Sequence, residues 1–391
     1  MTANPDLAGG RLTIDLGALV DNWRLLADRA GARECAAVVK ANAYGCGIEP
    51  VVKALAGAGC KTFFVAVPEE GLRVRQAAAA AATVAATAAV AAARCFVLNG
   101  LFATAAPTYL AENLTPILGS LPEIETWVDT AKGQGRPLPC ALHMDSGMTR
   151  LGLSMEELQQ VVADRKVMDH LDVQLFMTHY ACADDMGHAQ TIRQREVFLK
   201  AAALLPGVPR SAANSAAILQ QDGHGFELAR PGVALYGGEA LNDTPNPMKQ
   251  VAKLEGRIVQ IRSAKAGDAV GYGGTEVLSR DSRIAYISVG YADGYHRGGS
   301  HKGVPMRQIA APAQAAFNGT VINGVGRISM DLCAFDVTDI PEAEISAGDW
   351  IELFGDAIHV DDVARASGTI GYELLTGLGN RYSRTYVGAD G

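Results

Sequence analysis

ECAAVVKANAYG, residues 34–45, carries one lysine, Lys40, at the end of a short apolar run. Small and β-branched apolar residues in such a run read as a buried strand. Lys40 then stands at the strand's C-terminal end, where parallel barrels keep their chemistry. An amine there can form a Schiff base with a carbonyl compound. Taken alone, the stretch fits at least as well a lysine that merely ends a strand and extends its ammonium into water.

Outward from this stretch, short apolar runs alternate with helical patterns up to about residue 240. AAVVK is followed by EPVVKALAGAG, TFFVAV, PEEGLRVRQ, RCFVLNG and LTPILGS, and then by PCALHMDS, MEELQQVVAD, VQLFMTHY and a helix near Gly187–Leu205. Strand and helix in turn imply parallel βα units, and eight of them close a barrel. After Leu241 the turn-rich LNDTPNP leads into short strands with glycine turns, among them KLEGRIVQIRSA, RIAYISVGYADGY, DLCAFDV and DWIELFG. Only Val360–Leu378 reads as helical there. The expected fold is therefore α/β: an N-terminal (β/α)8 TIM-like barrel over residues 1–241, then a mostly antiparallel β domain over residues 242–391. RLTIDLGALVDNW, near the start, opens with a strand that suits either domain.

Composition narrows the function classes. A length of 391 residues favours two domains over one core. A net charge of −8 leaves no basic surface for nucleic acid or anionic lipid. The seven cysteines are an odd set without a CxxC pair, as expected of reduced thiols in a cytoplasmic protein. MTANPDLAGGRL lacks the basic and apolar blocks of a secretory signal. Ala77–Ala93 has thirteen alanines in seventeen residues, but alanine drives membrane insertion weakly. A low-complexity helix or surface insertion is the better reading, given alanine's helix propensity.

AVVKANAYG, HMDSGMTRLG, MTHYACAD, ANSAA, RPGVALYG, VGYADGY and GRISMD occur in this order. Together they resemble the alanine racemase family of pyridoxal-phosphate enzymes, over roughly residues 11–387. The resemblance implies that Lys40 holds pyridoxal 5'-phosphate covalently and then acts as base on the D-alanine face, with Tyr291 as base on the L-alanine face. Free lysine titrates near about 10.4 and tyrosine near about 10. Lys40 must therefore be desolvated or set near cations, and Tyr291 needs positive neighbours, with His179 and Arg230 as their expected source.

By the same resemblance Arg230 faces the pyridine nitrogen, to which a guanidinium can only donate. His179 stacks on the ring, and Tyr44, Ser215, Gly232, Val233 and Tyr372 hold the phosphate. Arg150 clamps the substrate carboxylate, helped by the backbone of Met330, and Asp184 lines the substrate passage. Tyr291 and Met330 would serve the other subunit of a homodimer. Read without the resemblance, Tyr291 is a half-buried strand tyrosine, Arg230 and Gly232 are turn residues, and Ser215 is a helix cap.

His179, Asp184, Asp185 and His188 match no defined metal spacing, and Asp184 or Asp185 is expected to cap the following helix. No metal is expected. Two departures from the family pattern stand out. His143 occupies the place of a carbamylated lysine beside Arg150, and Cys46 replaces a histidine. The expected function is interconversion of L- and D-alanine, supplying D-alanine for peptidoglycan. The alternatives are a pyridoxal-phosphate decarboxylase or a broader amino-acid racemase of the same fold. A cofactor carrier would resemble the barrel alone, and a cofactor-free aldolase would not need the phosphate-site residues.

Overall fold

The computed structural model describes residues 6–85, 93–220, 225–301 and 312–388, which form two compact units. One contains Leu19–Leu235 and Glu239–Met248; the other contains the residues up to Ala18, Tyr236–Gly238 and the chain from Lys249 onward.

The strand β1 is Gly10–Asp15. In the first of these units β2 (Glu34–Cys35) and β3 (Ala37–Val38) are two halves of one extended stretch. They are followed by β4 (Thr62–Val65), β5 (Arg94–Val97), β6 (Thr115–Leu118), β7 (Leu138–His143), β8 (Leu171–Met177), β9 (Arg210–Ser211) and β10 (Leu228–Ala229). Neighbours from β3 to β9 pair in parallel. Closure comes from β10, which pairs in parallel with β2, while Glu227 N–H donates to Arg210 O and Arg230 N–H to Ala213 O. Eight parallel strands thus make a closed barrel.

The local causes are plain in the sequence. TFFV of β4 is buried at every position, as a strand covered on both faces must be. Phe64 and Phe96 stack at 5.0 Å between ring centroids on adjacent strands. The helix Ile48–Gly57 buries Ile48, Val51, Val52 and Leu55, one stripe at helical spacing. The helix Pro68–Ala85 begins with proline at its first position and Glu69 and Glu70 in its first turn. It takes in the start of the alanine-rich run, with Ala77 and Ala78 buried. Helix is thus the state of that run as far as Ala85, and residues 86–92 lie outside the described residues. No helix among the described residues is long and apolar enough to cross a membrane.

The second unit is built on β11 (Ala252–Ala264), β12 (Ala269–Val270), β13 (Glu276–Val277), β14 (Ser282–Ile287), β15 (Gln314–Phe317), β16 (Thr320–Asn323), β17 (Cys333–Asp336), β18 (Trp350–Phe354) and β19 (Ser383–Val387). The sheet runs β16-β15-β18-β11-β1-β19, with β14 also on β11 and β17 on β14. All of these pairings are antiparallel except β1 with β19. The helices Val360–Ser367 and Gly371–Thr376 fill the expected helical stretch.

The assignment of residues 1–241 to the barrel therefore needs correction at its start. β1 buries Leu12 and Ile14 completely and uses both of its edges, on β11 and β19, so it belongs to the β unit. The exchange near residue 241 is also stepped, because Tyr236–Gly238 stay with the β unit while Glu239–Met248 return to the barrel.

Candidate active site

The chain after β3 turns abruptly. Val39 N–H still donates to Phe64 O of the barrel, and Lys40 opens a turn through Tyr44. Ala41, Asn42, Ala43 and Tyr44 all have φ near +50° (52, 54, 54 and 50). Four successive non-glycine residues in the left-handed region are costly, at about 1 kcal/mol or more each, and need fixing from outside. The fixing comes partly from Asn42, whose Oδ1 accepts from Ile48 N–H at 3.2 Å and from Arg73 at 2.7 Å.

Electrostatics gather five barrel residues into one group. The Lys40 amine is lowered by burial and by the nearby Arg150 cation, against an upward pull from Glu70. His179 is pushed down to about 3 by burial, then by Arg230, Arg150, Lys40 and His143. His143 falls to about 4 by burial and by Arg230 and Arg150. His179 therefore favours its neutral form at pH 7, because a buried imidazole among cations gives up its proton first.

Arg230 is buried, and its guanidinium donates to Ser211 Oγ, to Thr178 O at 2.7 Å and to Ala212 O at 3.5 Å. Burial lowers it to about 10, which leaves it charged. Among the described residues it has no ion pair; its hydrogen-bond acceptors are neutral oxygens, and its guanidinium lies over the Phe64 ring, 5.9 Å from the centroid. Arg150 is exposed and likewise has no ion pair among the described residues. Its loop is fixed by Asp145, whose Oδ1 accepts from the N–H groups of Gly147, Met148 and Thr149 at 2.9, 2.8 and 3.1 Å. Burial raises Asp145, but these bonds and His143 outweigh it and hold the carboxyl below its usual range.

Three of the expected phosphate residues meet at Gly232. A Cβ added there would lie 2.5 Å from Tyr44 Oη, so only glycine lets the two approach. Gly232 N–H donates to Ser215 Oγ at 2.8 Å, and Ala234 N–H does so at 3.3 Å. Val233 begins the 3-10 turn Val233–Tyr236, where the first amides have no acceptor within the turn. The capping role considered for Ser215 falls to Asn214, whose Oδ1 accepts from Ala217 N–H at 3.1 Å. Beyond β8, the cap of helix Ala189–Ala202 is His188, not Asp184 or Asp185. Asp184 is exposed and bonded to Asn242.

Tyr291, Met330 and Tyr372 lie in the β unit. Tyr291 N–H donates to Ser329 O and Ala292 N–H to Met330 O, so the strings VGYADGY and GRISMD form one paired structure. Sequence reading passed over what holds it. Asp293 is buried, accepts from Gly290 N–H at 3.0 Å, and is bound at two atoms by Arg381, which also reaches Asp331. Tyr291 and Met330 themselves are 43% and 53% exposed. Tyr372 stands on the helix Gly371–Thr376.

A depressed amine among arginines at the C-terminal mouth of a closed barrel, with a β unit appended, defines a lysine-centred barrel enzyme. Family models place it further: the alanine racemase N-terminal domain matches residues 14–240 and the C-terminal domain residues 251–386. The chain belongs to the alanine racemase family. It is 45% identical over 382 residues to the alanine racemase of Rhizobium meliloti, covering 97% of both chains. It is also 45% identical to the biosynthetic alanine racemase of Agrobacterium fabrum, covering 97% of this chain and 94% of the relative. A solved alanine racemase from Bartonella henselae with covalently bound pyridoxal phosphate superposes with a TM-score of 0.86 at 36% identity, covering 97% of this chain and all of that one (100%).

Proposed function

We propose that this protein interconverts L- and D-alanine, with pyridoxal 5'-phosphate held covalently on Lys40, and supplies D-alanine for peptidoglycan. The observation that carries the reading is the Lys40 amine at the end of β3, lowered by burial and by Arg150. The donor set fits the cofactor: a depressed amine for the aldehyde, and the hydroxyls of Tyr44 and Ser215 gathered with the backbone of Gly232 and Val233 for a phosphate. In this reading Tyr372 adds a further hydroxyl, and neutral His179 offers a flat ring face. Arg230 would donate to the pyridine nitrogen. When bound, the cofactor supplies a sink for the electron pair left at Cα.

The chain's own groups do the rest. Arg150 binds the carboxylate, helped by the Met330 backbone N–H, and so fixes which face of Cα meets which base. Lys40 Nζ takes or returns the proton on the D face and Tyr291 Oη on the L face, so each proton leaves from one side and arrives from the other. The exposure of Tyr291 and Met330 supports a homodimer in which these residues serve the barrel of a second copy. The family's substrate passage would include Asp184. Seven free cysteines support a cytoplasmic setting. Incubation with pyridoxal phosphate and L-alanine, followed by chiral chromatography, should show approach to an equal mixture from either enantiomer. A protein that binds the cofactor yet yields no D-alanine would sink this reading.

A further inference from the structure

We propose that Glu70 is a positioning residue for Lys40, holding the strained turn that aims the amine. The proposal rests on the reading of Lys40 as a base. Glu70 lies at the start of helix Pro68–Ala85, but its carboxylate does not serve that helix alone. Oε1 accepts from Ala41 N–H at 2.6 Å and from Asn42 N–H at 3.4 Å. Oε2 accepts from Ala66 N–H at 2.9 Å and from Val67 N–H at 3.4 Å. One side chain thus ties the left-handed segment directly after Lys40 to the end of the neighbouring barrel strand.

Two features make this more than a helix-start contact. The amides it binds belong to residues with φ of 52° and 54°, a conformation that Ala41 and Asn42 would leave if released. The geometry also requires a carboxylate. An amide has one acceptor oxygen and one NH2, so glutamine would confront one of the two amide pairs with a donor. The charge of Glu70 works against lowering the Lys40 amine, so its favourable contribution to the base is geometric. A second tether runs in parallel: Arg73 of the same helix bonds Asn42 Oδ1 and forms a bidentate pair with Glu49. The turn after Lys40 is therefore bolted to one helix at two points.

The test compares the cofactor-loaded wild type with Glu70→Gln, the double variant Glu70→Gln with Ala41→Gly, and Glu69→Gln as a control that removes the same charge from an exposed neighbour. In Glu70→Gln, kcat should fall about ten- to hundredfold with little change in KM, the cost expected of a misplaced base. The primary isotope effect with α-deuterated D-alanine should rise while that with L-alanine falls, since only the Lys40 transfer is slowed. Hydrogen exchange should quicken at residues 41–45 and not across the barrel. Glycine at position 41 tolerates positive φ, so the double variant should recover part of kcat, and it keeps the test open if the single variant folds poorly. Faster exchange at the turn with unchanged kinetics would overturn the proposal. So would isotope effects that move together, or a matching loss in Glu69→Gln. A wild type that racemises nothing would instead overturn the functional reading and this proposal with it.

Discussion

At the scale of single residues, Lys40 and Tyr291 are assigned one proton transfer each, and the two should fail differently. Lys40→Ala should lose both racemisation and the visible absorption of covalently held pyridoxal phosphate. Tyr291→Phe should keep that absorption while racemisation drops by about 10²- to 10⁴-fold, the range for loss of a general base. A Tyr291→Phe protein that turns over undiminished in both directions would refute the two-base assignment. The two depressed histidines give a pH prediction. Folded His143 and His179 resist protonation until about pH 4 and 3, whereas the unfolded chain protonates them near 6.5. The unfolded state therefore binds more protons in between, and stability is lost as pH falls through that window, by up to about 1.4 kcal/mol per pH unit for each histidine. Tm measured from pH 7 to 4.5 should fall, and His143→Asn should flatten the slope.

At the scale of elements, the site is a set of short turns that carboxylates hold in place. Asp293 fixes the turn of Tyr291 much as Asp145 fixes the loop of Arg150. Asp293→Asn should lower stability by about 1–2 kcal/mol, since it weakens a partly exposed charged pair with Arg381. It should also reduce racemisation, which a thermal melt and a rate assay on the same sample would show. This scale is where sequence reading was weakest. Lys40 was legible because an apolar run ends on it, and Arg230 because RPGVALYG is distinctive. Glu70 went unmarked within the helical pattern PEEGLRVRQ, since its partners lie 28 to 29 residues away at the turn as well as beside it. β9 and β10 are two residues each, too short for any periodicity, although they close the barrel. Ser215 looked like a cap because the true cap, Asn214, is its neighbour.

At the scale of the whole molecule, the proposed homodimer makes a distinctive prediction. If Tyr291 serves a partner's barrel, then Lys40→Ala and Tyr291→Phe chains, each inactive alone, should regain activity when unfolded, mixed and refolded together. Random pairing completes about a quarter of the sites, which sets the expected recovery. No recovery in a mixture shown to contain hybrid dimers would place both bases in one chain. The two-domain plan was legible from the change of texture near Leu241, but the membership of β1 was not. A six-residue amphipathic strand fits either neighbour, and only its hydrogen bonds to β11 and β19 decide.

That placement of β1 has a consequence for biosynthesis. Arg11–Asp15 pair with Ser383–Val387, so a strand translated early has one edge open until almost all of the remaining described chain has left the ribosome. The barrel strands, by contrast, are all made by Ala229 and can close while translation continues. A nascent chain stalled before residue 383 would therefore carry a finished barrel and an unzipped sheet edge, the kind of edge that recruits foreign strands. Chaperone capture and aggregation of stalled chains should peak in that interval and vanish once the last strand is released.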